Sequence, residues 1–329
     1  MLLHVIAIGV QTWSTDVAAL RRYWQAADDL GYARLTYGDG LWSFTHDGWT
    51  MLAALACATR RARVGHAVTY AFDRAAHHPS WLAKRAVAID HLSGGRFDLR
   101  LAVGAEDRMT AEAWRSHGIP YPRAGERLVA LQEAVTIVRR LWRGETVHAP
   151  GPHFPLSGAT VAPAPIQRPG PPIWIAAVGP RALDVAARHA DGWEASLLSP
   201  EAFARAAARV DAGLRAAGRP PEAVRRSVEL DVALVGATGD RGTHVRAFCA
   251  ARGVAPGHPL LETALIGDAD DVVERIAAYA AVGATDLMLG FADFPATGML
   301  QAFAASVLPR LGAPAAASAP ARRGRRASR

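Results

Sequence analysis

The chain is predicted to be a parallel α/β barrel, and three observations carry that prediction. Short apolar runs of strand length alternate with amphipathic runs of helical period through most of the 329 residues. The alternation supplies eight strands and eight crossovers before the composition changes near residue 312. The first strand leads into IAIGVQTWST, which has one glycine where an open dinucleotide-binding sheet needs Gly-x-Gly-x-x-Gly, so a closed (β/α)8 TIM barrel with insertions fits better.

Each element has its own signal. Residues 4–10 are an apolar run and give the first strand. After Asp16, the residues Val17, Leu20, Trp24, Ala27 and Leu30 recur at helical spacing, and Gly31 ends the helix. Strand two is expected over 33–37, a helix over 49–60, strand three over 63–70, a helix over 79–92 and strand four over 96–105. A long helix over 123–142 closes the fourth unit, and residues 144–170 form a Gly/Pro-rich insertion. Strands return at 173–178, 192–197 and 227–235, with Ser199-Pro200-Glu201 as a helix start between the last two. The acidic run at 267–271 suits a helix N-terminus, where carboxylates are stabilised, and precedes a strand at 284–291 and a closing helix.

Composition bounds the function. Half of the residues are hydrophobic and 20% are charged, as expected of a soluble, enzyme-sized domain. No run approaches the roughly 18 apolar residues that span a bilayer. The opening MLLHVIAIGV has neither a basic start nor a cleavage pattern, so a cytoplasmic location is expected. Cys57 and Cys249 stand far apart and are expected to be ordinary buried thiols. The net charge of +7 is concentrated: Arg322, Arg323, Arg325, Arg326 and Arg329 account for five charges and leave +2 for the rest. The division is therefore a barrel over 1–311 and a disordered Ala/Pro/Arg-rich tail over 312–329, and nucleic-acid binding is not favoured. His-Glu-x-x-His, Gly-x-Ser-x-Gly and Walker patterns are missing, and no metal is expected.

The stretch PPIWIAAVGPRALDVAARHADGW raises the sharpest question. If residues 173–178 are a barrel strand, Gly179 lies at its C-terminal end, where barrel enzymes place their chemistry. The helix starting at Pro180 then turns free N–H groups to the barrel mouth, an anion site to which Arg181 adds charge. The bland alternative is a Gly-Pro turn that only closes a loop.

Residues 90–105 (DHLSGGRFDLRLAVGA), 117–147, 163–193 and 265–289 together resemble the bacterial-luciferase-like flavin-dependent monooxygenase superfamily. The resemblance implies a TIM barrel that uses reduced FMN with oxygen or the deazaflavin coenzyme F420 for hydride transfer. It places the flavin phosphate on Val178, Gly179, Pro180 and Arg181, and the ring near Ala67, Val68, Thr69, Gly104 and Ala105. It also implies a non-proline cis peptide in strand three. Many relatives carry a histidine just after strand two, but here Asp39 is followed by Gly40. His66, His46 and Asp39 are the candidates for the catalytic acid or base. Trp13, Trp42, Phe44 and Tyr70 are expected to line a large apolar substrate pocket, dry enough to protect a reactive flavin. The favoured expectation is an FMN-dependent monooxygenase acting on a small organic substrate, served by a separate flavin reductase and forming a homodimer. The alternatives are an F420-dependent hydride-transfer enzyme and a noncatalytic flavin-binding partner subunit.

Overall fold

A computed structural model of the chain describes residues 6–72, 76–105, 108–235 and 241–312. The expected tail from 313 onward therefore lies outside the described residues. The barrel strands are β1 (Ala7–Thr12), β2 (Arg34–Tyr37), β3 (Arg63–His66, resumed at Thr69–Tyr70), β4 (Phe97–Ala102), β5 (Ile173–Ala176), β6 (Gly192–Ser196), β7 (Arg225–Leu234) and β8 (Asp286–Phe291). All neighbours pair in parallel and in chain order, and β8 pairs with β1, which closes the barrel. The break in β3 is a cis peptide between Ala67 and Val68.

The barrel helices are α1 (Val17–Asp29), α2 (Gly48–Ala58), α3 (Pro79–Ser93), α4 (Ala124–Trp142), α5 (Pro180–His189), α6 (Pro200–Ala216), α7 (Ala269–Ala281) and α8 (Gly298–Ser306). Their starts follow the capping chemistry read from the sequence. Asp16 Oδ1 accepts from Ala19 N at 2.9 Å, and Ser199 Oγ accepts from Ala202 N at 3.3 Å. In the acidic run, Asp268 accepts from the backbone of Asp270 and Asp271, so these carboxylates cap α7. Gly94 and Gly95, at φ +66° and +86°, turn the chain from α3 into β4, a conformation that other residues adopt only at a cost. Buried leucines, valines and tryptophans on the inner helix faces pack on the outer face of the strands.

Several short elements were not visible in the periodicity. The Gly/Pro-rich insertion holds an antiparallel hairpin, Val147–Ala149 with Leu156–Ala159. Short helices at Arg108–Arg115 and Arg241–Arg252 and a strand at Leu265–Gly267 decorate the C-terminal end of the barrel. One expectation is corrected: Cys249 is buried, but Cys57 is exposed. On α2 the core takes Leu52, Leu55 and Ala56, and residue 57 falls on the outer face.

The barrel interior is charged. Arg34 lies at its lower end, with Nη1 2.6 Å from Asp98 Oδ2 and Nε 3.0 Å from Asp286 Oδ1. Arg63 and Arg225 complete these pairs from the rim. One layer higher, Arg100 is ion-paired with Glu194, and the Trp174 ring lies between the guanidinium groups of Arg34 and Arg100, 4.8 Å from each. Glycines make the room: a Cβ on Gly192 would stand 2.2 Å from the Trp174 ring, and one on Gly65 would stand 2.7 Å from Arg100 Cδ. No described helix is long and apolar enough to cross a membrane.

Candidate functional site

Above this ladder, at the C-terminal ends of β3 to β7, a cavity of about 580 Å3 opens. The C-terminal ends of barrel strands are where this architecture places chemistry. One wall is Ala67, Val68 and Tyr70 of the broken third strand, and a second is Gly104 and Ala105 after β4. Val178, Gly179, Pro180 and Arg181 form one end, so nine of the residues expected at a cofactor or substrate site share one cavity.

That end has the features of an anion cradle. Gly179 is the N-cap of α5, at φ −78° and ψ 149°, and no side chain caps the helix. A Cβ built on Gly179 would meet no heavy atom within 4 Å, so this backbone is open to close approach. The start of α4 adds Ala124, Arg127 and Leu128 to the lining, and two helix N-termini therefore converge here. Arg127 is held in place: its Nε donates to Val103 O at 2.8 Å, and its guanidinium stacks 4.3 Å from the Tyr121 ring. Sequence reasoning missed Arg127, although its position one turn into a helix that follows β4 was a usable signal.

The other expected residues lie elsewhere. Thr69 turns away from the cavity and donates to Asp39, which also accepts from His77 Nε2 at 3.3 Å. Burial alone would push the Asp39 carboxyl up, but the His77 hydrogen bond, the nearby His66 and His77 imidazoles and the Thr69 hydroxyl together outweigh it and hold it at about 2. His66 is fully buried behind the wall, 4.4 Å from the Trp49 ring, and neither of its ring nitrogens has a hydrogen-bond partner. His46 is exposed, with its Nε2 3.0 Å from Thr15 O. None of these three lines the cavity.

Trp13, Trp42 and Phe44 form an aromatic cluster outside the cavity lining, with Trp13 and Trp42 edge to face at 5.9 Å, Trp42 stacked on Phe44 at 5.8 Å, and Trp42 packed against the cluster around Tyr70. Gly38 and Gly40 seat it: a Cβ on Gly38 would stand 2.0 Å from the Trp13 ring, and one on Gly40 would stand 2.1 Å from that of Trp42. The position after Asp39 is thus a platform for an indole. Tyr70, which does line the cavity, packs with Phe72, Trp114 and Tyr121.

In place of those aromatics, the inner wall carries Glu194, Ser196 and Glu229. Burial and the neighbouring Glu194 carboxylate raise the Glu229 carboxyl to about 7, against hydrogen bonds from Gln11 and Ser196. The signal that could have found these residues is the polar period of two in WEAS and SVELD, at 193–196 and 227–231.

The His66 environment gives a stability prediction. Burial brings its imidazole down to about 4 from 6.5, although Asp39 pulls the other way. The folded protein then binds fewer protons than the unfolded chain in this window, so stability is complete above the unfolded value and is lost as pH falls toward the folded one. His66→Leu is expected to flatten that loss, as thermal melts at about pH 5 and about pH 7.5 would show. An unchanged pH slope in the variant would assign the acid sensitivity to other groups.

A family model described as luciferase-like monooxygenase matches residues 1–286. The chain is 28% identical over 316 residues to an F420-dependent glucose-6-phosphate dehydrogenase of Microbacterium testaceum, covering 87% of this chain and 90% of that protein. In fold it is similar to an F420-dependent secondary alcohol dehydrogenase in complex with an F420-acetone adduct (TM-score 0.81, 16% identity, 94% of this chain and 99% of the other). It is also similar in fold to a monooxygenase from Streptomyces bottropensis (TM-score 0.74, 22% identity, 93% of this chain and 100% of the other).

Proposed function

The chain belongs to the luciferase-like monooxygenase family of oxidoreductases, and we propose that it uses coenzyme F420 to move a hydride to or from a small organic substrate. The observation that carries this reading is the make-up of the inner wall. An FMN-dependent oxygenation calls for dry walls around the ring, and the sequence assigned Trp13, Trp42 and Phe44 to that task. The cavity lining contains none of them and contains two carboxyls and a serine instead. Hydride transfer at a carbon bearing oxygen needs a group that holds or releases a proton, which such a wall supplies. The likeness to an F420-dependent dehydrogenase over most of both chains supports the same choice.

The residues present fit a phosphate-bearing flavin or deazaflavin. The open backbone of Gly179, the start of α5 and Arg181 would hold the phosphate, and Ala67, Val68, Gly104 and Ala105 are small enough to flank a flat ring. Bound there, the deazaflavin supplies a carbon that accepts or gives a hydride. The protein orients the substrate against it, closes off one side with the β3 wall, and handles the proton.

The test is a paired anaerobic titration of the full chain with reduced FMN and with coenzyme F420, followed by admission of oxygen. Tighter binding of F420, with the reduced FMN sample reoxidising in oxygen without any transient species, is the expected result. Tighter binding of reduced FMN with an oxygen-dependent transient would return the assignment to a monooxygenase. Binding of neither would overturn the proposal, and binding without turnover would favour a noncatalytic flavin-binding partner subunit.

A further inference from the structure

We propose that Glu229 is the proton carrier of this cavity: its carboxylate takes the hydroxyl proton of a substrate alcohol on oxidation and returns it to the carbonyl oxygen on reduction, with the Ser196 hydroxyl as the link. This rests on the hydride-transfer reading above and adds to it both the residue and the substrate class, an alcohol and its carbonyl.

The geometry separates Glu229 from every other interior carboxyl described here. Asp98 and Asp286 are paired with Arg34, Glu194 with Arg100, and Asp231, two residues further along β7, with Arg252 at 2.5 Å. Glu229 has only neutral donors: Gln11 Nε2 at 2.9 Å from Oε1 and Ser196 Oγ at 3.0 Å from Oε2. From β8 its register neighbour is Met288, which brings no charge. The nearest ionisable groups are Glu194 on β6 and Asp231 on its own strand, both of which favour its neutral form, while the Arg100 and Arg252 cations that act the other way are engaged by those two carboxylates. A carboxyl fixed by a cation keeps its charge, whereas one held by an amide and a hydroxyl can change state without breaking the site.

Ser196 suits the linking role because a hydroxyl donates to a carboxylate and, once rotated, accepts from a carboxylic acid. It is exposed to the cavity, as Glu229 is in part. On oxidation the alcohol O–H bond breaks and its proton passes to Glu229. The C–H electron pair leaves with its hydrogen as hydride for the oxidised deazaflavin, and the C–O bond becomes C=O. Reduction runs these movements backwards. No histidine after β2 is required: Asp39 is locked by Thr69 and His77, and His66 is sealed behind the β3 wall.

Infrared difference titration of the full chain tests this without a substrate. The native protein is expected to show a protonated-carboxyl band that titrates with a midpoint near about 7. Glu229→Gln, which keeps size and hydrogen-bonding capacity, should abolish that band, and Glu194→Gln should keep the band with a lower midpoint, because the Glu194 carboxylate helps to raise it. Ser196→Ala should shift its frequency, a readout that stands even if the glutamine variant folds poorly. A band that persists in Glu229→Gln, a native protein with no titrating band between about pH 5 and about pH 9, or a frequency unmoved in Ser196→Ala would overturn the proposal. Binding of oxidised coenzyme F420 is followed by absorbance on the same samples. Binding without the band removes Glu229 as carrier, whereas the band without binding removes the hydride-transfer reading.

Discussion

Arg100→Met is expected to destabilise the fold by about 3–5 kcal/mol at neutral pH. Arg100 is 2% exposed, and its guanidinium pairs with Glu194 inside the barrel while lying 4.8 Å from the Trp174 ring. Methionine keeps most of the stem packing but removes the cation, which leaves Glu194 held by Ser227 Oγ at 3.1 Å with the Glu229 carboxyl as a neighbour. Two adjoining interior carboxyls without a cation cannot both stay ionised at low cost. An interior carboxylate without its cation is costly only while it is ionised, so the deficit should be smaller at about pH 5 than at about pH 8. Urea denaturation at about pH 5 and about pH 8 measures both values, and pairing the change with Glu194→Leu should recover most of the loss. A loss below about 1 kcal/mol at the higher pH would mean that solvent reaches Glu194 and that the interior ladder is not sealed.

That ladder marks where the sequence was legible and where it was not. Strand and helix positions follow from local period, and the eight barrel strands fall within a few residues of the runs that announce them. The interior charges were written just as locally, in Arg34, Asp98, Arg100, Glu194 and Glu229. Their reading depends on barrel closure: the outer face of each strand must meet a helix and be apolar, so a polar residue at every second position has only the interior to occupy. Val178, Gly179, Pro180 and Arg181 lie together at one end of the cavity because one continuous segment, strand, Gly-Pro turn and helix, carries them. Trp13, Trp42 and Phe44 do not line that cavity, and the sequence could not show it for the opposite reason. Their seats are Gly38 and Gly40, and contacts between a β1 loop and a β2 loop leave no mark in the period of either.

Gly179→Asp should act with opposite signs on the fold and on ligand binding. Its φ of −78° and ψ of 149° are those of an ordinary N-cap, and nothing within 4 Å opposes a side chain. Aspartate is among the best N-cap residues, and its charge suits the positive end of α5, so thermal stability should be unchanged or higher by a few tenths of a kcal/mol. The same carboxylate would occupy the N–H groups proposed to receive a phosphate and would repel it beside Arg181. Binding of coenzyme F420, or of FMN, should weaken by about 100-fold, equivalent to about 2.7 kcal/mol. Gly179→Ala, which adds bulk without charge, should fall between the native chain and the aspartate variant. Fluorescence titration beside a melting curve separates the two effects, because a variant that only damaged the fold would lose both together. Native affinity in Gly179→Asp would move the phosphate away from this helix start, leaving the Arg127 side of the cavity as the place to look for it.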